Sequence, residues 1–262
     1  MADEDGSGRP AAGEILERVL HDAEEELGRS SAGLGLSGFA AGMTMGLSGL
    51  GVAILQHVLG PGSWAHVVAF TLYPTGFVAV IIGRAQLFTE NTLYPVVLIL
   101  DRRKGYADTA RLWIVVFCSN LLGALLFAAL VTQVHSVPRP VEEQLTVLGH
   151  RALEVSFGQA FWTGVIGGWL IALVAWLVEG SERTIAQVVL IWLLTYLVGI
   201  GAFAHCIATG GEGLVAWLNG ADSAGTFFGW LAGATLGNAA GGVFIVSLLN
   251  YGQVMAGRGH RA

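Results

Sequence analysis

Long apolar runs separated by short polar turns dominate this sequence, and six of them are long enough to cross a membrane. An α-helix needs about 20 apolar residues to span the hydrocarbon core of a bilayer. An amphipathic repeat over residues 11–27 predicts a further helix, which lies at the membrane surface, against a partner subunit or as a cap over helix ends. We therefore predict an all-α polytopic membrane protein with spans over residues 34–59, 65–100, 111–134, 157–178, 185–218 and 224–249.

The second and fifth spans are interrupted by residues that weaken a helix. Residues 83–92 are polar, and residues 199–211 contain four glycines around His205. Glycine in a helix interior costs about 1 kcal/mol relative to alanine. Backbone that leaves helical pairing inside a membrane must be buried in protein or line a wet cavity. Paired broken helices are typical of a transport site where the two breaks meet.

An internal repeat relates the two broken spans. The Asn-Leu-Leu-Gly sequence at 120–123 recurs as Asn-Ala-Ala-Gly at 238–241, an offset of 118 residues that also aligns Leu87 with His205. Each half then holds three spans, and an odd number gives the halves opposite orientations. The sequence therefore predicts two inverted three-helix repeats with a site near the membrane midplane.

Composition and charge agree with a membrane protein and exclude other classes. The chain is 54% hydrophobic and 12% charged, whereas soluble domains carry about 25% charged residues. The net charge of −6 arises largely near the N-terminus and argues against nucleic-acid binding, which needs a basic patch. We divide the chain into an N-terminal segment (1–29), a six-helix domain (30–250) and a C-terminal tail (251–262). We expect no cleavable signal peptide, because residues 1–28 are polar and acidic and have no apolar core.

The distribution of arginine and lysine predicts the orientation. With the N-terminus inside, ten of these residues fall on the inside and only Arg139 and Arg151 fall on the outside. Positive residues concentrate on the cytoplasmic side. We therefore expect both termini in the cytoplasm and the chain in a bacterial inner membrane.

His205 is the main candidate for a functional side chain, because an ionisable residue at membrane depth is functional by default. The alternative is a buried histidine that only makes structural hydrogen bonds. Thr89 could hold the imidazole through its hydroxyl group. The sequence places no second ligand at metal-binding spacing, no cofactor motif and no nucleophile–base set, so neither a metal site nor an enzyme is expected.

Charged and aromatic residues surround the two breaks. Arg84 either pairs with Glu90 or a carbonyl group to brace the loop, or provides a positive field that attracts anions. Glu212 is predicted to be a favourable carboxylate in the first turn of a half-helix. Aromatic rings near the breaks serve either packing or a constriction that excludes water; these are Tyr73, Phe77, Phe88 and Phe203.

Three motifs resemble the formate/nitrite transporter family: Gly-x-x-Gln-Leu-Phe-Thr at 83–89, Phe-x-His-x-Ile-Ala at 203–208 and Leu-Gly-Asn-x-x-Gly at 236–241. The resemblance covers about residues 30–250. It implies an aquaporin-like protomer, a pentamer with one pore per protomer, and small monovalent anions as permeants. It also implies that His205 is the central histidine, Thr89 its partner, Leu87 and Phe88 pore-lining residues, and Asn238 the asparagine of the last helix.

The chain departs from the family pattern at several of these positions. Gln86 and Ala204 stand where members usually have glutamate, and Thr209 stands where asparagine is expected. The family's lysine near the fourth span has no match, although Arg151 lies nearby. Arg84 occupies a position that is usually small. These differences indicate a divergent branch with the loop Gly-Arg-x-Gln-Leu-Phe-Thr-Glu-Asn-Thr.

We interpret the chain as a channel or proton-linked transporter for small monovalent anions of weak acids, or their neutral acids. A pore for neutral solutes such as water, ammonia or hydrogen sulfide is the first alternative. A non-conducting pentameric scaffold is the second, and a closed Arg84–Glu90 bridge would favour it.

Overall fold

The computed structural model describes residues 10–258, and within them every regular element is helical. Residues 1–9 and 259–262, which include the N-terminal part of the segment 1–29 and the end of the tail 251–262, lie outside this range. The helices are α1 (Ala12–Gly28), α2 (Ser31–Leu59), α3 (Ser63–Ala69), α4 (Pro74–Ile82), α5 (Tyr94–Leu100), α6 (Tyr106–Thr132), α7 (Arg139–Leu153), α8 (Phe157–Glu179), α9 (Thr184–Ile200), α10 (Ala208–Leu218), α11 (Ala224–Ala240) and α12 (Leu249–Arg258).

The apolar stretches of the sequence form the long helices. Five helical stretches are long and apolar enough to cross a membrane, namely Ser31–Leu59, Ser63–Ile82, Tyr106–Thr132, Phe157–Glu179 and Ala224–Gly257. Two shorter apolar helices, Glu90–Leu100 and Thr184–Ile200, adjoin the breaks. The last stretch combines α11, a π-helical segment over Gly241–Leu248 and α12. Residues 251–258, predicted to belong to the tail, continue this helix.

α1 packs over the ends of the long helices of its own chain, the cap arrangement among the alternatives for its amphipathic pattern. Its apolar face is buried against α5, α8 and α12 and comprises Leu16, Val19, Leu20, Ala23 and Leu27. Arg111 of α6 donates hydrogen bonds to the carbonyl oxygens of Leu27 (2.6 Å) and Arg29 (3.1 Å). These bonds satisfy carbonyl groups at a helix end that otherwise lack partners. α1 is therefore a cap fixed to its own chain.

Glycines allow two pairs of long helices to approach closely. A Cβ atom at Gly42 of α2 would lie 1.9 Å from the carbonyl oxygen of Asn120 in α6, and one at Gly168 of α8 would lie 2.1 Å from that of Asn238 in α11. Small residues at such contacts let helix backbones pack directly in a membrane. These contacts place Asn120 and Asn238 deep in the interior, each beside one of the breaks.

Candidate functional site

Both breaks leave the helix through the same backbone turn. α4 ends where Arg84 adopts φ 53°, and α9 ends where Ala202 adopts φ 50°. Left-handed backbone of this kind is unfavourable for residues other than glycine. In each break the residue at this position donates its N–H to the third residue before it, Ile81 or Gly199. The two turns are 118 residues apart, the offset of the sequence repeat.

Two buried asparagines hold the loops that follow these turns. Asn120 accepts from the N–H of Phe88 (2.9 Å) and donates to the carbonyl oxygen of Gln86 (2.8 Å). Asn238 accepts from the N–H of Cys206 (2.9 Å) and donates to the carbonyl oxygen of Ala204 (2.7 Å). Each amide donates a second bond to a neighbouring long helix, at Gly38 or Gly164. Asn238, predicted among the pore residues, thus braces the second loop.

His205 lies between the two loops and is fully buried. Its Nδ1 atom accepts hydrogen bonds from the backbone N–H groups of Ile207 (3.3 Å) and Ala208 (3.0 Å). Its Nε2 atom is 2.8 Å from Oγ1 of Thr89. Because Nδ1 accepts, the ring proton belongs on Nε2, which donates to Thr89. The ring of Phe77 packs edge-on against the imidazole, with 4.9 Å between the ring centres.

A cavity of about 430 Å³ opens on the side of the loops where α1 lies, and we call it the α1-side vestibule. It reaches Leu87, two residues before Thr89. Five carboxyl groups and two guanidinium groups line it: Asp22, Glu26, Glu90, Glu179, Glu182, Arg18 and Arg84. Both guanidinium groups are paired, Arg84 with Asp22 (2.6 Å) and Arg18 with Glu182 (2.8 Å). This vestibule therefore has an excess of carboxyl groups.

A second cavity of about 190 Å³ opens on the opposite side of the loops, beside α7, and we call it the α7-side vestibule. Its lining is mostly apolar and includes Phe203 and Ala204. Its polar side chains are His66, Tyr73, Arg151, Thr163, Thr209 and Glu212. The hydroxyl groups of Tyr73 and Thr209 are 3.4 Å apart, and Thr209 also accepts from the N–H of His205 (3.4 Å). The vestibule thus ends next to the histidine.

The structure changes the interpretation of Arg84. The side chain is 76% exposed within the α1-side vestibule, so it is not a buried membrane charge. Its carboxylate partner is Asp22 of α1, and the alternative pair with Glu90 is not formed. The bridge that favoured a non-conducting scaffold is therefore missing from the described part of the chain. With a carboxylate at 2.6 Å and others nearby, Arg84 gives this vestibule no net positive field.

The amide of Asn120 fixes the first loop, so that three consecutive side chains point in different directions: Gln86, Leu87 and Phe88. Leu87 lies at the end of the α1-side vestibule, and the Gln86 side chain lines the same cavity while it accepts from Asn91 (2.9 Å). Phe88, predicted to line the pore, lines neither of the two vestibules. Its ring packs between Trp113 and Phe117 of α6.

Glu212 belongs to the site, although the sequence predicted it only as a favourable carboxylate in the first turn of a half-helix. It is 8% exposed and lines the α7-side vestibule. A methyl group on Gly49 would lie 2.8 Å from its Oε1 atom, so glycine at this position makes room for the carboxyl group. The sequence did contain a signal for this buried carboxyl group: Glu212 has a glycine on both sides and no basic residue within a helical turn.

His150 of α7 pairs with Asp222, which lies in the turn between α10 and α11. The hydrogen bond from His150 Nδ1 to the Asp222 carboxylate (3.0 Å), with their Coulomb attraction, raises the pKa of His150 above its ordinary value. A raised pKa in the folded protein stabilises it fully below the ordinary pKa of about 6.5, and this contribution is lost as pH rises through the raised value.

We expect Asp222→Asn to lower the pKa of His150, as measured by NMR titration of labelled histidine. Glu143→Gln, an identical charge removal at an exposed position of α7, is the control. An unchanged pKa of His150 in Asp222→Asn would show that the carboxylate does not act on it.

Two broken helices that meet at a buried histidine between two vestibules are the arrangement of a membrane channel or transporter. The chain belongs to the formate/nitrite transporter family: the family model described as "Formate/nitrite transporter" matches residues 13–252. The chain is 32% identical over 243 residues to the "Inner membrane protein YfdC" of Escherichia coli, an alignment that covers 92% of this chain and 78% of the relative.

Solved structures show the same fold. A protein described as "FNT family ion channel" has a TM-score of 0.81 at 20% identity, covering 93% of this chain and 99% of that one. A second, described as "Pentameric formate channel with formate bound", has a TM-score of 0.70 at 18% identity, covering 86% and 98%. The protein is therefore a membrane channel or transporter of the formate/nitrite family.

Proposed function

We propose that this chain is a pore for small monovalent anions of weak acids, formate- or nitrite-like, which pass His205 as the neutral acid. The observation that carries this proposal is the position of His205, held by both loops between two vestibules that open in opposite directions. The solved relative with bound formate supports the class of solute. The barrier to the solute lies between the two vestibules, from Leu87 on the α1 side to Thr209 on the α7 side.

The proposed architecture is an aquaporin-like protomer of six spans in two inverted repeats. The equal offset of 118 residues between the two turns and between the two asparagine networks supports the repeat. We further propose a pentamer, the assembly described for the solved formate channel. Arginine and lysine placement supports termini in the cytoplasm, with the α1-side vestibule inside and the α7-side vestibule outside.

The physical barrier explains why the neutral acid is the crossing species. Fully buried Phe77 and Leu87 surround the passage, and an ion there loses hydration worth many kcal/mol. The neutral imidazole of His205 offers no full charge to compensate. Arg151 at the α7-side mouth can concentrate anions by Coulomb attraction. A protonated solute then avoids most of the desolvation cost.

A pore for neutral solutes is the second candidate, and the carboxyl groups of the α1-side vestibule favour it. Their negative potential repels anions at that mouth. Flux of ammonia or hydrogen sulfide in liposomes, without any flux of formate or nitrite, would establish this candidate.

His205→Ala is expected to reduce formate flux at least tenfold in liposomes that contain the purified protein. The variant loses the bond to Thr89 and leaves the N–H groups of Ile207 and Ala208 without their acceptor, so both loops lose their common support. His21→Ala, at an exposed position on α1, is the matched control and is expected to retain wild-type flux. Undiminished flux in His205→Ala would remove the histidine from the mechanism.

A further inference from the structure

Two carboxyl groups, one in each vestibule, are more than nine-tenths buried and have no hydrogen-bond or ion-pair partner among residues 10–258. Glu90 is 9% exposed in the α1-side vestibule, and Glu212 is 8% exposed in the α7-side vestibule. Burial of a carboxylate is costly unless a cation or several donors compensate it. Neither group has such compensation, and both face the cavities that lead to His205.

The surroundings of Glu212 are more apolar than those of Glu90. Gly49 of α2 lies against its carboxyl group, and the ring of Trp230 lines the same cavity. Three titratable or charged side chains face this cavity from the packed elements: His66 of α3, Tyr73 before α4, and Arg151 of α7. The other charged groups of α7, including His150 and Glu142, pair away from it. A proton on Glu212 thus exchanges through this vestibule.

The two vestibules differ in the cations that they offer to an anion. Both arginines of the α1-side vestibule are bound to carboxylates. Arg151 is exposed, lines the α7-side vestibule and has no carboxylate within ion-pair distance among the described residues. An anion is therefore attracted into the α7-side vestibule, where Glu212 lies deeper than the exposed arginine.

His205 is poorly placed to give a proton to such an anion. In the neutral ring, Nδ1 accepts two backbone N–H groups and the Nε2 proton is committed to Thr89. To gain a second proton, Nδ1 must break both backbone bonds, and to give up the first, Nε2 must release Thr89. A carboxyl group without any partner can exchange its proton without breaking protein hydrogen bonds.

We propose that Glu212 is the group that protonates the solute on the α7 side of the pore, an inference that rests on the proposed function. The anion attracted by Arg151 accepts the proton of the Glu212 carboxyl group through a new O–H bond, while the O–H bond of Glu212 breaks. The neutral acid then crosses the apolar passage beside His205. A proton from the bulk solution, carried by the water of the α7-side vestibule, then binds the Glu212 carboxylate and restores its O–H bond. The acid releases its proton on the other side, so one proton accompanies each anion.

Glu212→Gln tests this proposal because glutamine has the same size but cannot exchange a proton. Flux of labelled formate into proteoliposomes is measured from pH 5 to pH 8. In this variant only neutral acid already formed in bulk water can cross, and its concentration falls about tenfold per pH unit above the pKa of the acid. We expect variant flux to fall with that slope and wild-type flux to fall less steeply, so that their ratio grows with pH.

Two further variants and one measurement under an applied membrane potential complete the experiment. Glu212→Asp restores a carboxyl group and is expected to restore the shallow profile, while Glu143→Gln at an exposed position of α7 keeps the wild-type profile. A potassium diffusion potential is expected to leave wild-type flux unchanged, since a neutral species crosses. Size-exclusion chromatography of each variant verifies assembly.

The outcomes separate failure of this inference from failure of the proposed function. Wild-type formate flux with an identical pH slope in Glu212→Gln overturns the role of Glu212 and leaves the pore intact. A uniform reduction at every pH, without a change of slope, also overturns it, because a merely structural glutamate acts in that way. Flux that follows the membrane potential shows that bare anions cross. Absence of formate flux in the wild type overturns the proposed function itself.

Discussion

Asn238→Ala is expected to destabilise the protein by about 3 kcal/mol or more, the largest effect among the predicted variants. The substitution leaves the N–H of Cys206 and the carbonyl group of Ala204 without a partner, and it removes the bond that ties the amide to Gly164 of α8. Each buried polar group without a partner costs about 1–3 kcal/mol. The second loop also loses its attachment to α11, so we expect formate flux to fall together with the melting temperature in detergent.

Asn120→Ala provides an internal test of this prediction, because Asn120 makes the equivalent three bonds in the first loop. We expect a loss of stability similar to that of Asn238→Ala. Asn219→Ala is the control, since that exposed amide bonds to the side chains of Glu142 and Thr146, and water can replace those bonds. Equal melting temperatures for all three variants would contradict the bracing role of the buried amides.

Gly42→Ala is expected to destabilise the protein by about 2 kcal/mol, although alanine is the better helix former. The new Cβ atom would lie 1.9 Å from the carbonyl oxygen of Asn120, which is backbone and cannot move aside. Overpacking of this kind costs about 1–3 kcal/mol, more than the gain of about 1 kcal/mol in helix propensity. Separation of α2 from α6 would also displace Asn120 from the first loop.

Gly35→Ala is the matched control because Gly35 lies on the same helix and faces the same neighbour. A Cβ atom there would meet Ser119 Oγ at 3.5 Å, an ordinary contact. Thermal melting in detergent is expected to show a lower midpoint for Gly42→Ala and an equal or higher midpoint for Gly35→Ala. If both variants melt like the wild type, the close approach of α2 and α6 does not limit stability.

The support of His205 and the access of a solute to it depend on different parts of one arrangement. The glycine contacts bring the long helices together, the two asparagines on those helices hold the loops, and the loops hold His205. The vestibules then determine how a solute reaches the histidine. The asparagine and glycine variants test how the loops are held, whereas the pH dependence of formate flux in Glu212→Gln tests how the solute gains its proton.

The sequence alone predicted most of the helical framework, because hydrophobic runs and their interruptions are local properties of the chain. Residues 34–59 and 157–178 form α2 and α8 within three residues at each end, and the breaks lie in the predicted ranges. The offset of 118 residues anticipated the repeated turns at Arg84 and Ala202. The contact between Thr89 and His205 was also anticipated from their positions in the two breaks.

Only the tertiary structure decided which side chains meet. Asp22 pairs with Arg84 across 62 positions of the chain because α1 folds over the vestibule, whereas sequence proximity had suggested Glu90. The direction in which the Phe88 side chain points depends on the hydrogen bond from its N–H to Asn120. The surroundings of the Glu212 carboxyl group come from three other segments, which contribute Gly49, Tyr73 and Arg151. Helix formation follows from neighbouring residues, but pairing and burial of charges depend on which distant segments share a cavity.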